Sequence, residues 1–334
     1  MEIAVIGATV ISSVIAGYLK NSHGNVTCIA VPNSTDTVKE FTVKGTNLPV
    51  TPRISFSTLD SLDGTYDFIL IFTQPNQNEA IIPAIKKQLK KTTIILSFQL
   101  TLSDDTLVKA FSENPVISAI CHFNASYRGR DMVFLTTKSH EMQRHGFNIQ
   151  STNEQHWDEL IETKNFLDFI AQTNIIGPSK NIKWSYALYL VAFDRLASAL
   201  NCSFGDILHH KIALETSIHL ADEVGRIAHK HYKELIQLDT IDFNKLMIDS
   251  DTKTEEISTQ FKELLQAHIT SESTFKYDDR HPTDIIDELI YHARKIDQPT
   301  PYIDILSHCL HYSQKAPFHE NIQIFEPLVK GLAI

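Results

Sequence analysis

A chain of 334 residues, 43% hydrophobic and 21% charged, exceeds one ordinary domain and can bury a sizeable core. Its formal net charge of −10 repels phosphate backbones, which excludes nucleic acid as an expected partner. No apolar run approaches the ~20 residues of a bilayer span, so no membrane partner is expected either.

Strand-like and helix-like segments alternate through the first part of the chain. Residues 2–6 form a short apolar run closed by Gly7, the pattern of a buried strand. Apolar residues at Val10, Ile11, Val14, Ile15, Tyr18 and Leu19 then make a helical stripe. His23-Gly24-Asn25 breaks it, and residues 26–31 read as a second strand ended by Pro32-Asn33-Ser34. Residues 41–56 read as a β-rich insertion with turns at Gly45 and Pro52. A third buried strand is expected at 66–72, a helix at 78–89 interrupted or entered near Pro83, and a fourth strand at 93–98. A short helix at 106–111, a fifth strand at 116–121 and an edge strand at 132–136 follow. Such alternation implies a parallel sheet with helices on both faces.

From Trp157 onward the periodicity is helical, with candidates at 155–172, 181–200, 203–233, 255–269, 282–297 and 300–313. Gly177-Pro178 and Pro299-Thr300-Pro301 punctuate this half. The expected fold class is α/β. A Rossmann-type doubly wound parallel sheet occupies 1–150, and an all-helical domain for substrate binding or dimerisation occupies 151–334.

The segment Gly7-Ala8-Thr9-Val10-Ile11-Ser12 sits between strand and helix, the context of a dinucleotide loop. That chemistry needs a tight turn, close approach of backbone to pyrophosphate and a helix N-terminus aimed at the phosphates. Gly7 supplies the turn, and Ser12 is small enough for helix–strand packing. Thr9 stands where a second glycine is usual; its side chain crowds a pyrophosphate, while its hydroxyl is also able to donate to one. The second strand ends in Val31-Pro32-Asn33-Ser34, with neither the acid that holds ribose hydroxyls nor the arginine that favours a 2′-phosphate. Ser34, Thr35 and Lys39 read as a phosphate contact or as a solvated loop.

Other constellations carry less. Cys28, Cys121, Cys202 and Cys309 lie far apart with no CxxC pair, which argues against a zinc cluster or a disulfide framework. Glu215, His219 and Glu223 share one helix face at a spacing that suits either a metal or a solvated polar face. His122 and His140 follow strands and read as cleft or structural histidines. No G-x-S-x-G elbow or Walker A sequence occurs. The N-terminus opens directly on a strand, without a basic segment and apolar stretch, so the expected compartment is the cytoplasm.

Several segments together resemble the ketopantoate reductase (2-dehydropantoate 2-reductase) family along nearly the whole chain. IAVIGATVISSVIAGYL is similar to that family's first strand, glycine loop and helix. Residues 67–72 followed by Gln77 resemble its third core strand, and Ile95-Leu96-Ser97-Phe98-Gln99 resembles the strand that ends in a Gln-Asn-Gly turn. Asn181-Ile182-Lys183-Trp184 and the long helix to Asn201 resemble the opening of its second domain. Residues 273–278, then His281-Pro282-Thr283-Asp284-Ile285, are similar to its Ser-Ser-Met-x-x-Asp and Pro-Thr-Glu-Ile pattern.

The resemblance implies reduction of a small 2-oxo acid by hydride from NADPH, with NADH not excluded. The family's polarising lysine falls on Tyr186, and its helix asparagines fall on Leu190 and Asp194. The Gln-Asn-Gly turn reads Gln99-Leu100-Thr101, and the lysine after the third strand reads Gln74. The substrate glutamate becomes Asp284, and the serine becomes Thr274 or Ser273. Implied cofactor-binding residues are Gly7, Ala8, Thr9, Ser12, Thr73, Gln74 and Gln99; implied catalytic residues are Tyr186, Asp284 and Thr274, in a cleft between the domains. Tyr186 can donate a proton as a phenol, but its ordinary pKa of about 10 requires a nearby cation, such as Lys183, before it acts as a base. The implied partner is a small-molecule substrate, and the long second-domain helices are compatible with a homodimer. The alternative is a non-catalytic ligand- or partner-binding protein on the same scaffold, favoured by Thr9, Leu100, Tyr186 and Leu190.

Overall fold

The computed structural model describes residues 1–23, 25–31, 39–45, 52–129, 131–137, 142–144, 146–151, 153–231, 234–238, 241–242, 248, 257–259, 261–263, 284–312 and 317–331. Outside them lie the strand end at 32–34, His140, most of the 255–269 helix, Ser273, Thr274 and the 273–283 part of the family-like pattern. The chain divides into two compact units, Met1–Pro178 and Ser179–Ile334.

The first unit is built on one eleven-stranded sheet of order β11-β10-β7-β6-β5-β1-β2-β4-β3-β9-β8. Its centre is the expected parallel array. β1 (Ile3–Ile6) pairs in parallel with β2 (Val26–Ala30) on one side and β5 (Phe68–Ile71) on the other. β6 (Ile94–Ser97) and β7 (Val116–Cys121) continue in parallel beyond β5. The residues of each central strand alternate between two buried faces. Ile3, Val5, Phe68, Leu70, Ile94 and Leu96 pack to one side, and Ala4, Ile6, Ile69, Ile71 and Ile95 to the other. A period of two with both faces apolar is what a sheet covered on both sides requires.

Helices α1 (Val10–His23), α2 (Asn78–Lys86) and α3 (Asp105–Ala110) supply the cover. Val14, Ile15 and Leu19 of α1 join the first face, and Ile81, Ile85 and Leu107 of α2 and α3 join the second. Pro83 lies inside α2 rather than at its entry.

The β-rich insertion is β3 (Lys39–Lys44) and β4 (Arg53–Thr58), an antiparallel pair whose β4 extends the sheet in parallel from β2. β9 (Met132–Leu135) is internal rather than an edge, since β8 (Ala125–Tyr127) lies outside it.

The first unit also extends past residue 150, where the sequence reading set the boundary. β10 (Phe147–Ser151) pairs antiparallel with β7, and β11 (Thr173–Ile175) pairs in parallel with β10. Between them α4 (Trp157–Asp168) packs Leu160, Phe166 and Leu167 onto the face that α1 covers, with Phe166 stacked on Phe68 at 4.2 Å. The 155–172 helical signal thus covers the sheet instead of opening the second domain.

Among its described residues the second unit is helical apart from two two-stranded pairings, β12 (Lys180–Asn181) with β13 (Glu234–Leu235), and β14 (Gln237–Leu238) with β15 (Ile241–Asp242). The expected 181–200 helix is α5 (Ile182–Tyr189), a π turn over Leu190–Arg195 and α6 (Leu196–Leu200). The expected 203–233 helix breaks at His210 into α7 (Phe204–His209) and α8 (Lys211–His231). α9 (Asp284–Lys295) and α10 (Pro301–Tyr312) follow.

Glu223 explains how α10 is held. Its two carboxylate oxygens accept from the N–H groups of Tyr302 and Ile303 at 3.0 and 2.9 Å, capping a helix start some eighty residues away. The Glu215–His219–Glu223 face is accordingly structural at Glu223, and His219 stacks on Tyr302 at 4.4 Å. Among the described residues no group of three His, Cys, Asp or Glu side chains is placed to hold a metal ion. No described helix is long and apolar enough to cross a membrane.

Candidate active site

The strand order fixes where a ligand fits the first unit. From β1 the chain winds outward through β2 and β4, then returns to β5 on the opposite side of β1. The β1/β5 boundary is therefore a topological switch point, and the carboxyl ends of the strands beside it form the expected binding rim. Gly7, Thr73, Gln74 and Gln99 all follow strands at that end.

Gly7 is the residue the rim cannot replace. Its φ is +107°, and a Cβ there would stand 2.8 Å from the carbonyl carbon of Phe72 and 2.9 Å from the nitrogen of Thr73. Both contacts are with backbone, so no side chain can move aside to relieve them. The same close approach joins Gly7 to the chain leaving β5, which places the glycine turn and Thr73 together at the switch point.

The loop that follows is closed by its own side chains. Thr9 Oγ1 accepts from the Ser12 N–H at 3.1 Å, and Ser12 Oγ accepts from the Thr9 N–H at 2.8 Å, the reciprocal pattern of a capping box. The Ser12 hydroxyl donates toward the Gly7 carbonyl oxygen at 2.6 Å. Two of the four N–H groups that a helix start leaves without intrahelical acceptors are thus satisfied within the loop. The N–H groups of Val10 and Ile11 have no acceptor among the described residues. A phosphate would meet a narrower cup than a glycine-rich loop presents, with Thr9 half-buried at its lip. The Gly7 N–H donates to the Ile29 carbonyl at 2.8 Å, so the N–H groups left for a pyrophosphate would be those of Val10 and Ile11, and Thr9 is the side chain that would crowd it.

The remaining rim residues bind one another. Gln99, 2% exposed, donates from Nε2 to Asn78 Oδ1 at 2.7 Å and to Thr73 Oγ1 at 3.1 Å. Gln77 accepts from the Gln74 N–H at 3.0 Å and donates to the Val31 carbonyl at 3.0 Å, which ties the end of β2 to the segment after β5. Behind them the buried Asp104 carboxylate accepts from the hydroxyls of Ser97 and Ser118. The sequence reading named Thr73, Gln74 and Gln99, with Gln77 only as part of the resemblance, and did not name Asn78 or Asp104. Amide and acid pairings across strand ends leave no periodic signal.

The other predicted residues lie in the second unit. Tyr186 is half-buried on α5, and Asp284 is the first residue of α9. Lys183, one turn before Tyr186, is 3% exposed. Leu190 is buried, so the position where the resemblance implies an amide is packed into the core. Tyr189, which the sequence reading passed over, lies beside Tyr186 with ring centroids 5.9 Å apart. Burial pushes the Cys28 and Cys202 thiols up to about 12 and the Cys121 thiol upward as well, so none is poised as a nucleophile.

A glycine turn at the switch point of a doubly wound sheet, together with a helical second unit, defines a Rossmann-type α/β fold class. Residues 3–145 match the model described as ketopantoate reductase PanE/ApbA, the family that the sequence resembles. None of the curated proteins matches the chain. Solved structures share the fold at low identity. A dimeric ketopantoate reductase from Staphylococcus aureus superposes with a TM-score of 0.61 at 17% identity, over 93% of this chain and 99% of its own. A D-mandelate dehydrogenase solved with NADH and anilino(oxo)acetate gives 0.69 at 14%, over 98% and 100%. A PanE/ApbA family ketopantoate reductase from Ralstonia eutropha JMP134 gives 0.68 at 13%, over 97% and 100%.

Proposed function

We propose that the protein is a divergent NAD(P)H-dependent reductase of a small 2-oxo acid. The observation that carries this reading is the Gly7 turn, pressed against the backbone of Phe72 and Thr73 at the β1/β5 switch point. The Gly7–Ser12 segment would hold the pyrophosphate, with Thr73, Gln74 and Gln99 forming the floor beneath it. NADPH is the expected cofactor, with NADH as the competitor that the mandelate dehydrogenase complexes bring forward. When bound, the nicotinamide supplies the hydride that reaches the carbonyl carbon. Tyr186 supplies the proton to the carbonyl oxygen, the role the family gives to a lysine. Asp284 and Thr274 orient the substrate carboxylate, Thr274 lying outside the described residues. The reading makes the protein cytoplasmic and compatible with a homodimer.

A second reading has its own observation. Thr73, Gln99 and Asn78 bond to one another, and Thr9 bonds to Ser12, so the rim is satisfied without a cofactor. A protein of the same scaffold that binds a ligand or partner without catalysis would look like this.

Titration with NADPH and NADH, followed by cofactor fluorescence and thermal shift, separates the two. Stabilisation by either cofactor supports the reductase, and no response at millimolar concentration removes it. Cofactor binding without turnover of ketopantoate redirects the assignment to another 2-oxo acid.

A further inference from the structure

The α5–π–α6 helix is buried along nearly its whole length, and its exceptions form a pattern. Between Ile182 and Leu200 the partly exposed residues are Tyr186, Tyr189, Asp194 and Ser198, all polar. On an unbroken α-helix, at about 100° per residue, Tyr189 and Asp194 would point roughly 140° apart and Tyr186 and Ser198 roughly 120° apart. The π turn over Leu190–Arg195 takes up the equivalent of about one residue and rotates everything after it back by roughly 100°. Ser198, beyond the turn, thereby rejoins the face of Tyr186, and Asp194, within it, swings toward Tyr189, on whose phenol its charge acts. Ser217 of α8 supports the turn by donating to the Ala192 carbonyl inside it at 2.7 Å.

The chemistry of this strip differs from that of the surrounding helix. Burial holds the Tyr189 phenol well above its ordinary range, and the neighbouring Asp194 and Tyr186 add to that direction. Burial also pushes the Asp194 carboxyl up to about 7, against the pull of Arg195, the charged group that acts on it. Near neutral pH the strip therefore offers a carboxylic proton beside a phenol that resists ionisation.

We infer that Asp194 is the proton store for Tyr186, acting through Tyr189. The inference rests on the reading of Tyr186 as proton donor. As the hydride's electron pair reaches the carbonyl carbon, the Tyr186 O–H bond breaks and its proton forms the new O–H bond of the alcohol. The Tyr189 proton passes to the Tyr186 phenolate while the Asp194 proton refills Tyr189, so no phenolate accumulates. Water reprotonates the Asp194 carboxylate. Asp194 is a positioning and proton-supplying residue and does not itself touch the substrate.

Infrared difference spectra of the full chain between pH 5 and pH 9 test this directly. The expected result is a protonated-carboxyl band that disappears near pH 7 and is absent from Asp194→Asn. In turnover of 2-oxo acids, Asp194→Asn is expected to lose about tenfold or more in kcat below pH 7, where the wild-type carboxyl holds its proton, with KM for NADPH unchanged, and Asp194→Glu to recover most of it. Tyr189→Phe should show the same loss below pH 7, which covers the case in which Asp194→Asn does not fold. A band that titrates near the ordinary carboxylate value of about 4, or wild-type kcat and pH profile in both variants, overturns the inference. Failure of both cofactors to bind the wild type removes the reductase reading instead, and the infrared band still decides whether Asp194 carries the proton beside the tyrosines.

Discussion

The rim of the first unit and the strip on the second unit's long helix are both polar, yet they are built on opposite plans. At the rim each polar side chain finds a partner in the same sheet edge: Thr9 with Ser12, Gln99 with Thr73 and Asn78, Gln77 with Val31. On the strip, Tyr186, Tyr189 and Asp194 are held half-buried, and burial shifts the acid–base character of Tyr189 and Asp194. The rim is organised to keep a backbone shape, which is what phosphate recognition by N–H groups demands. On the proposed function, the strip would keep protons, which is what carbonyl reduction demands. A satisfied rim tolerates conservative substitution in its amides, whereas a strip tuned by burial does not.

The sharpest way to break this contrast is Tyr186→Phe. If Tyr186 supplies the proton, kcat on an accepted 2-oxo acid falls about a hundredfold or more while cofactor affinity is kept. An unchanged rate removes Tyr186 from the mechanism.

Gly7→Ala comes next, because it strikes backbone shape at the rim. The new Cβ meets backbone atoms at under 3 Å in a left-handed conformation, so unfolding free energy should drop by about 2–3 kcal/mol and cofactor binding should vanish. Denaturant melts with wild-type stability would show that the turn is not the constraint described.

Glu223→Ala tests a site that neither region uses. It leaves the Tyr302 and Ile303 N–H groups without their acceptor, for a loss of about 1–3 kcal/mol in the same melts with cofactor affinity intact.

The strip carries a pH signature. Between about pH 4, where unfolded Asp194 ionises, and its folded value of about 7, the native state holds a proton that the unfolded chain has released. Stability from this group therefore falls as pH rises through that window. Asp194→Asn should flatten the corresponding part of the melting temperature profile between pH 4 and pH 7. An identical slope in the variant would place the titration elsewhere.

The smallest expected effect is at Thr9. Thr9→Gly costs only a few tenths of a kcal/mol in capping and opens the lip of the loop, so NADPH affinity should rise. Weaker binding would mean that the Thr9 hydroxyl contacts the phosphates itself.

The regular part of the fold was legible because its signals are local. A run such as Ile3–Ile6 needs two covered faces whatever follows it, and a glycine between that run and an apolar helical stripe marks the turn. The same logic misassigned residues 155–172, since an amphipathic helix reads alike whether it covers a sheet or joins a bundle. It also missed β10 and β11, whose place in the sheet depends on partners far off in sequence. At the rim, Gly7 was legible as the turn between a strand and a helical stripe, whereas Thr73 and Gln99 were named only through the family resemblance. Tyr189 and Asp194 were not seen as a pair, because a uniform 3.6-residue period puts them on different sides of the helix.

By itself the sequence determined the βαβ start, the alternation that makes a parallel sheet and the helical second half, since hydrophobic periodicity and turn residues act over a few positions. Tertiary structure alone decided that Thr9 and Ser12 cap one another, that Glu223 reaches a helix start some eighty residues on, and that a π turn swings Asp194 toward Tyr189. Hydrogen-bond partners and burial are set by the packing of distant segments, and helix register shifts when a neighbouring side chain such as Ser217 supplies a donor to the carbonyl of the wider turn.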